Sequence, residues 1–339
     1  MLKRAILAAV AMCFPFGGTL SSVIAADAPK DVIQKNTFLE PSQATKDFAV
    51  QGEYIATATI GGKATKVAAQ IASTGGGEFV GAFYLGGLPG AGWDGVSRFE
   101  ITGKADSAEM KRVVFAPTDP KGFSAVWADG KLSAKGTDVA IESMEKTERK
   151  STTLGAKAPS GAIVLFDGTD AEAWEGGHID DRKLLAAGAK TRKKFQSFTL
   201  HGEFLLPFKP YGRDQDRGNS GFYLQERYEV QVLDTFSQKP VFNGTGALYR
   251  QSPPDLNMCL PPLQWQTYDI DFTAPVFEGG KKVKNAVITV KLNGVTVHDK
   301  REITAKTGAG KPEGAEPGPI LLQGHGNPVF YRNIWIVEK

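Results

Sequence analysis

With 339 residues, 41% of them hydrophobic, the chain is long enough for about two cored domains. Its net charge is +3, and setting aside the first 25 residues, which carry Lys3 and Arg4 and no acid, leaves 38 basic against 37 acidic side chains, or +1. So balanced a chain offers no basis for binding nucleic acid or an anionic membrane.

Lys3 and Arg4, the apolar run 5–16 and the small residues around Val23-Ile24-Ala25 form the three parts of a secretory signal, predicted over residues 1–26. The protein is therefore expected to be exported, periplasmic or extracellular. No later run approaches the roughly 20 apolar residues of a membrane span. Cys13 leaves with the signal, so Cys259 stands alone and no intrachain disulfide can form. Residues 27–52 are polar and extended. From there the pattern is strands, at 53–60, 66–73, 78–86, 98–103, 112–116, 123–127 and 138–143, separated by turns such as Gly75-Gly76-Gly77 and Asp129-Gly130. Residues 27–145 thus read as a small all-β domain, a sandwich or a barrel, of unknown role and without a catalytic constellation. Its glycine-rich loop 86–95 presents Trp93, either packed or as a binding loop. The charged and then small, kinked residues 146–160 read as a linker.

The second domain, 161–339, opens with Ile163-Val164-Leu165-Phe166-Asp167-Gly168. Strands are predicted at 195–207, 221–225, 228–233, 247–249, 266–272, 285–292, 295–299, 320–323 and 334–338, with Asn293-Gly294 as a two-residue hairpin turn. Many short strands without a helix indicate a two-sheet sandwich or jelly roll. The Gly/Pro/Lys-rich run 307–319 reads as a surface loop. Within 228–233 alternate side chains face opposite ways, so Glu229 and Gln231 share one face and Val230 and Val232 the other. That describes a sheet with one wet side, which Tyr223 and Gln225 can also line.

Several motifs in order carry a resemblance. They are Ile163–Gly168 leading to Trp174, Gly218-Asn219-Ser220-Gly221-Phe222-Tyr223-Leu224-Gln225, and Tyr228-Glu229-Val230-Gln231-Val232-Leu233-Asp234. Gly246-Ala247-Leu248-Tyr249, Trp265-Gln266-Thr267-Tyr268, Leu322-Gln323-Gly324-His325-Gly326 and Tyr331-Arg332-Asn333-Ile334 follow. Residues 161–339 resemble the 3-keto-disaccharide hydrolase domain family. The resemblance implies a concanavalin-A-like jelly-roll β-sandwich, placed here after a smaller β domain, and action on 3-keto glycosides. The chain departs from the family at Gly324, where an acidic residue often precedes the histidine, and at Gln266, where many members have Asn.

A retaining glycosidase needs two carboxyl groups about 5–5.5 Å apart. At that spacing Glu229 meets Gln231, and Asp234 lies five residues on, nominally on the opposite face. Double displacement is poorly served. A 3-keto sugar requires less: a base for the acidified hydrogen on C2, donors for the enolate oxygen, and an acid for the leaving group. Elimination followed by hydration then amounts to hydrolysis. Glu229 or His325 can be the base, with Asp234 a further catalytic candidate. Asn219, Gln231, Tyr249 and Arg332 can be donors, and Tyr249 or protonated His325 can assist departure. Each residue also has a structural reading: Asp234 as a turn cap, Arg332 as a brace, His325 and Asn219 as turn formers. His178 and His298 read as surface histidines and Trp265 as core. No cofactor is required. The four histidines show no zinc spacing, while Ca²⁺ or another divalent cation on oxygen ligands is not recognisable by spacing alone. The expected partner is a carbohydrate, and nothing in the sequence sets the oligomeric state. A lectin-like binding protein without chemistry is the competing reading. A shallow aromatic groove favours it, whereas a carboxylate with a raised pKa in an apolar pocket favours the enzyme.

Overall fold

The computed structural model describes residues 28–339, so the predicted signal lies outside the described residues. A short helix α1 (Lys30–Lys35) leads into eight strands: β1 (Gly52–Ile60), β2 (Lys63–Gly75), β3 (Glu78–Leu85), β4 (Arg98–Ala105), β5 (Arg112–Pro117), β6 (Ser124–Ala128), β7 (Lys131–Gly136) and β8 (Val139–Thr147). Each pairs antiparallel with the next, and β1 with β8, closing a barrel. Closure removes the exposed edges that a sandwich of short strands would leave. Period-2 alternation turns Val67, Ala69 and Ile71 inward with Phe79, Phe83, Phe115, Phe123 and Trp127. β7, not among the strands predicted from the sequence, is a polar strand in which only Leu132 and Ala134 face the core.

Fourteen further strands follow: β9 (Ile163–Phe166), β10 (Trp174–Glu175), β11 (Leu185–Ala186), β12 (Ala189–Thr191), β13 (Phe198–Leu205), β14 (Ser220–Leu224), β15 (Tyr228–Val232), β16 (Trp265–Thr273), β17 (Val276–Glu278), β18 (Lys281–Lys284), β19 (Ala286–Leu292), β20 (Val295–Ile303), β21 (Leu321–Leu322) and β22 (Phe330–Glu338). One sheet runs β10-β12-β21-β14-β15. The other runs β11-β22-β13-β16-β19-β20, with β9 beside β22, and β17-β18 form a separate hairpin. Residues 247–249, predicted as a strand, form only isolated bridges, from Leu248 to Val230 and to Ser252. Phe222, Leu224, Val230 and Val232 of the first sheet meet Phe204, Tyr268, Phe272 and Tyr331 of the second in one core. Phe222 stands edge-on to Tyr268 (5.6 Å, 90°) and Tyr331 (5.2 Å, 84°). Burying each such ring contributes about 1.5–3 kcal/mol. The outward residues of β14 and β15, Glu229 among them, are thereby left on the far side of that sheet.

Residues of the predicted linker lie against the outer face of the larger sheet. Thr153 Oγ1 donates to Asp269 Oδ2 (2.6 Å), and the Gly155 N–H to Glu203 Oε1 (2.6 Å). The Ala156 carbonyl accepts from Asn333 Nδ2 and Trp335 Nε1. The barrel is docked too. Arg217 Nη1 reaches the Ser73 carbonyl (3.3 Å), and Arg98 Nη2 reaches the Ser237 carbonyl (2.9 Å). Trp93 is half-buried edge-on to Tyr84, with its indole N–H on the Ser97 carbonyl. His298, expected at the surface, is fully buried because β20 turns it inward, where Nε2 donates to the Gly246 carbonyl (2.8 Å). Trp265, expected in the core, is half-buried beneath the Arg332 guanidinium.

Candidate active site

The site is built on the β14–β15 hairpin. Gln225 and Glu226 both adopt positive φ (56° and 54°), and Arg227 N–H returns to the Leu224 carbonyl, the geometry of a type I′ turn. This turn sets a register that places Tyr223 opposite Glu229 and Gly221 opposite Gln231. Tyr223 Oη donates to Glu229 Oε2 at 2.7 Å, and Gln323 Nε2 donates to Tyr223 Oη at 3.4 Å. Gln323 Oε1 is buried with no partner among the described residues. Gly221 makes room for the acid, since a Cβ there would lie 2.7 Å from Glu229 Oε1.

Glu229 is only 2% exposed. The loop after β20 covers it. Thr307 Oγ1 accepts the Glu229 N–H (2.5 Å), and Gly308 (φ +42°) passes so close that a Cβ would meet Glu229 Oε2 at 3.2 Å and the Tyr249 ring at 2.7 Å. Arg227 holds the far part of this loop through the carbonyls of Pro312, Gly314 and Glu316. Burial pushes the Glu229 carboxyl up to about 7, against a smaller downward pull from the Tyr223 hydroxyl. Burial and the neighbouring Glu229 raise the Tyr223 phenol in turn. A carboxylate near neutrality in a desolvated, hydrogen-bonded setting has the properties of a general base.

Three of the other predicted residues extend this face. Gln231 is fixed by donating to Gln215 Oε1 (3.1 Å) while its Oε1 accepts from Val232 N–H. Asn219 Nδ2 also donates to Gln215 Oε1 (3.3 Å). Tyr249, half-buried, has its backbone N–H on the Glu229 carbonyl (3.2 Å) and its ring against Gly308. His325 is exposed on the loop between β21 and β22. Its carbonyl accepts from Asn327 Nδ2, and no hydrogen bond to Glu229 is found among the described residues.

Three predicted residues lie elsewhere. Gln225 falls beyond the end of β14, in the turn, and spends its amide on the Phe195 and Gln196 carbonyls instead of lining the wet face. Asp234 is paired with Arg217 (2.6 Å) and caps the Phe236 N–H, so its carboxylate is structural. Arg332 belongs to the other sheet. Its Nε donates to Glu203 Oε2 (2.7 Å) and its guanidinium covers Trp265 at 3.8 Å. The packed core, ~10 Å thick, separates it from the Glu229 side. Burial would raise the Glu203 carboxyl, yet hydrogen bonds from His201, Asn333, Arg332 and Gly155 outweigh it and bring the group down to about 2. Sequence reasoning overlooked Gln323, although it lies in the quoted 322–326 motif, and Gln215 and Thr307, which no motif marks. Among the described residues no three His, Cys, Asp or Glu side chains converge as metal ligands.

Residues 161–337 match the family model described as 3-keto-alpha-glucoside-1,2-lyase-like domain. A comparison with curated proteins finds no match. Similar solved structures include three of a "putative glycosyl hydrolase" from Parabacteroides distasonis. One is 37% identical with a TM-score of 0.49, covering 54% of this chain and 85% of that one. A second is 20% identical, with a TM-score of 0.39 and coverage of 53% and 94%. The third is 22% identical, with a TM-score of 0.37 and coverage of 52% and 99%.

Proposed function

Since the chain belongs to the 3-keto-alpha-glucoside-1,2-lyase-like domain family, we propose that it cleaves 3-keto glycosides, with Glu229 as the base that removes the C2 proton. The observation that carries this reading is the buried Glu229 carboxyl, pushed up to about 7 and hydrogen-bonded to Tyr223. A desolvated carboxyl group of that basicity is what proton removal near neutrality requires, and sugar binding alone does not require it. Glu229 takes hydrogen from C2, and the electron pair forms the C2–C3 enolate with negative charge on O3. The Asn219 amide, which keeps one N–H beyond its bond to Gln215 Oε1, stabilises that oxygen. The enolate then collapses, restoring the C3 ketone and forming C1=C2 as the C1–O bond breaks. The departing oxygen takes a proton from Tyr249, or from His325 if its loop moves inward. Water adding to C1, with a proton returned to C2, makes the sum a hydrolysis, and release before that step makes it a lyase reaction. The loop over Glu229 opens to admit the sugar. We further read the two packed antiparallel sheets as a concanavalin-A-like jelly roll, residues 161–339 as the catalytic domain following the 27–145 domain, and the protein as exported.

The test is Glu229→Gln, which keeps shape and removes basicity. Turnover of a 3-keto glycoside should fall roughly 10²–10⁴-fold, while sugar binding persists. Deuterium at C2 should slow the wild type if proton removal limits the rate. Near-normal turnover in the variant would transfer the role to His325. Cleavage with the C2 hydrogen fully retained would eliminate the C2 route and indicate displacement at C1.

A further inference from the structure

The two oxygens of the Glu229 carboxyl are not equivalent. Oε2 accepts the Tyr223 hydroxyl at 2.7 Å, and the covering loop crosses on that side, since a Cβ on Gly308 would lie 3.2 Å from Oε2. Oε1 leans over Gly221 of the neighbouring strand, where a Cβ would lie 2.7 Å away, and no donor to it is found among the described residues. Gly221 stands opposite Gln231 and two residues after Asn219. Oε1 therefore leans towards the row of the sheet that carries those amides. Tyr223 is itself held. Its side chain is buried, and Gln323 Nε2 donates to its hydroxyl oxygen (3.4 Å). A phenol has one O–H hydrogen, and this one is committed to Glu229.

The other ionisable groups around this carboxyl have partners of their own. Tyr249 flanks β15, with the Arg250 guanidinium over its ring (5.5 Å). Lys306 of the covering loop has its Nζ on the Gly308 carbonyl (3.0 Å), and Arg227, just before β15, spends its guanidinium on loop carbonyls and on Gln225. Beneath the sheet, the Tyr268 hydroxyl bonds the Gln231 carbonyl and the Tyr331 hydroxyl bonds Ser220 Oγ. Burial raises the phenols of Tyr223, Tyr268 and Tyr331 above the ordinary tyrosine range, so all three keep their protons at neutral pH. A hydroxyl that donates to a carboxylate favours its ionised form.

We infer that Glu229 Oε1 is the atom that removes the C2 proton, and that Tyr223, braced by Gln323, is a positioning residue that turns Oε1 to the substrate by holding Oε2. This assignment rests on the reading of Glu229 as the C2 base. It is tested in the full chain with 3-keto-trehalose. Tyr223→Phe keeps the ring and removes the hydroxyl. The acidic limb of kcat/KM should move up by about one to two pH units, because the carboxylate loses its donor. On the plateau above the limb kcat should fall roughly tenfold through lost orientation, with KM unchanged. Added to Glu229→Gln, Tyr223→Phe should leave the residual turnover as it is, since Tyr223 acts only through Glu229. Gln323→Ala reaches Glu229 through Tyr223 and should move the limb the same way by less. It decides the matter where Tyr223→Phe fails to fold, an unmoved limb again counting against the assignment. An unmoved limb in Tyr223→Phe, a plateau that holds or rises, or a further loss in the double variant overturns it. A rising plateau would make Oε2 the reacting oxygen, and a further loss would put Tyr223 on the substrate. Near-normal turnover in Glu229→Gln alone sinks the parent reading. Turnover lost there, with the limb of Tyr223→Phe unmoved, sinks only the role of Tyr223.

Discussion

Glu229 carries two opposed demands at one atom pair. Catalysis requires the carboxylate, whereas its surroundings favour the acid, raised from 4.5 to about 7 by burial. In kcat/KM, a rising limb through pH about 7 should appear, losing about tenfold per pH unit below it. Rate profiles between pH 5 and 9 check this, and a flat profile would remove Glu229 as the titrating base. The stability sign follows from the same shift. Because the folded state binds the proton more tightly than the unfolded chain, the contribution is full below pH 4.5 and is lost as pH rises through about 7. Glu229→Gln should therefore match the wild type near pH 4.5 and exceed it at pH 8 by roughly 3 kcal/mol, read from urea midpoints. A more stable and less active variant is the expected signature of a group strained for function.

At the scale of the element, facing direction decides roles that spacing left open. β14 and β15 pair so that Tyr223 meets Glu229, but Gln225 is carried out of the strand by a turn with two positive-φ residues. On β22, Arg332 faces outward from the larger sheet, where Glu203 gathers Arg332, Asn333 and the Gly155 N–H. That cluster fastens residues 153–156 onto the sheet. With Glu203 held at about 2, its ionised contribution is present above pH 4.5 and is lost as pH falls towards 2. Glu203→Ala should release the segment, so that limited proteolysis at neutral pH cuts within residues 149–158 roughly tenfold faster or more than in the wild type. Turnover at the Glu229 site should hardly change. Equal cutting rates would show that the other contacts of the segment suffice.

For the whole molecule, the barrel and the sandwich meet through buried polar contacts. Arg217 bonds Asp234 on one side and the Ser73 carbonyl of the barrel on the other. Both side chains are nearly inaccessible, 7% and 1% exposed. Removing one partner strands the other charge, so Asp234→Ala should lower stability by about 3–5 kcal/mol, seen as a fall in the urea midpoint. A catalytic Asp234 would instead give unchanged stability with abolished turnover, most plainly in Asp234→Asn.

Much of this protein was legible from its sequence. Period-2 alternation and turn dipeptides reveal strands through local sterics and burial, and they put Glu229 and Gln231 on one face while sending Val230 and Val232 to the core. Dispersed motifs identify the family without any coordinates. Short pairings such as β10, β11 and β12 were not legible, because two or three residues carry no periodicity and pair only when a distant strand lies alongside. Nor was the fate of charged side chains. Asp234 and Arg332 look as available as Glu229 when only residue type and spacing are known. Their separation arises from long-range packing, which sets Arg217 against one and Glu203 against the other and leaves Glu229 with the Tyr223 hydroxyl, and no ion pair among the described residues, under a glycine-containing loop. Desolvation depends on what the rest of the chain places around a group, so the basicity of Glu229 was decided by tertiary structure alone.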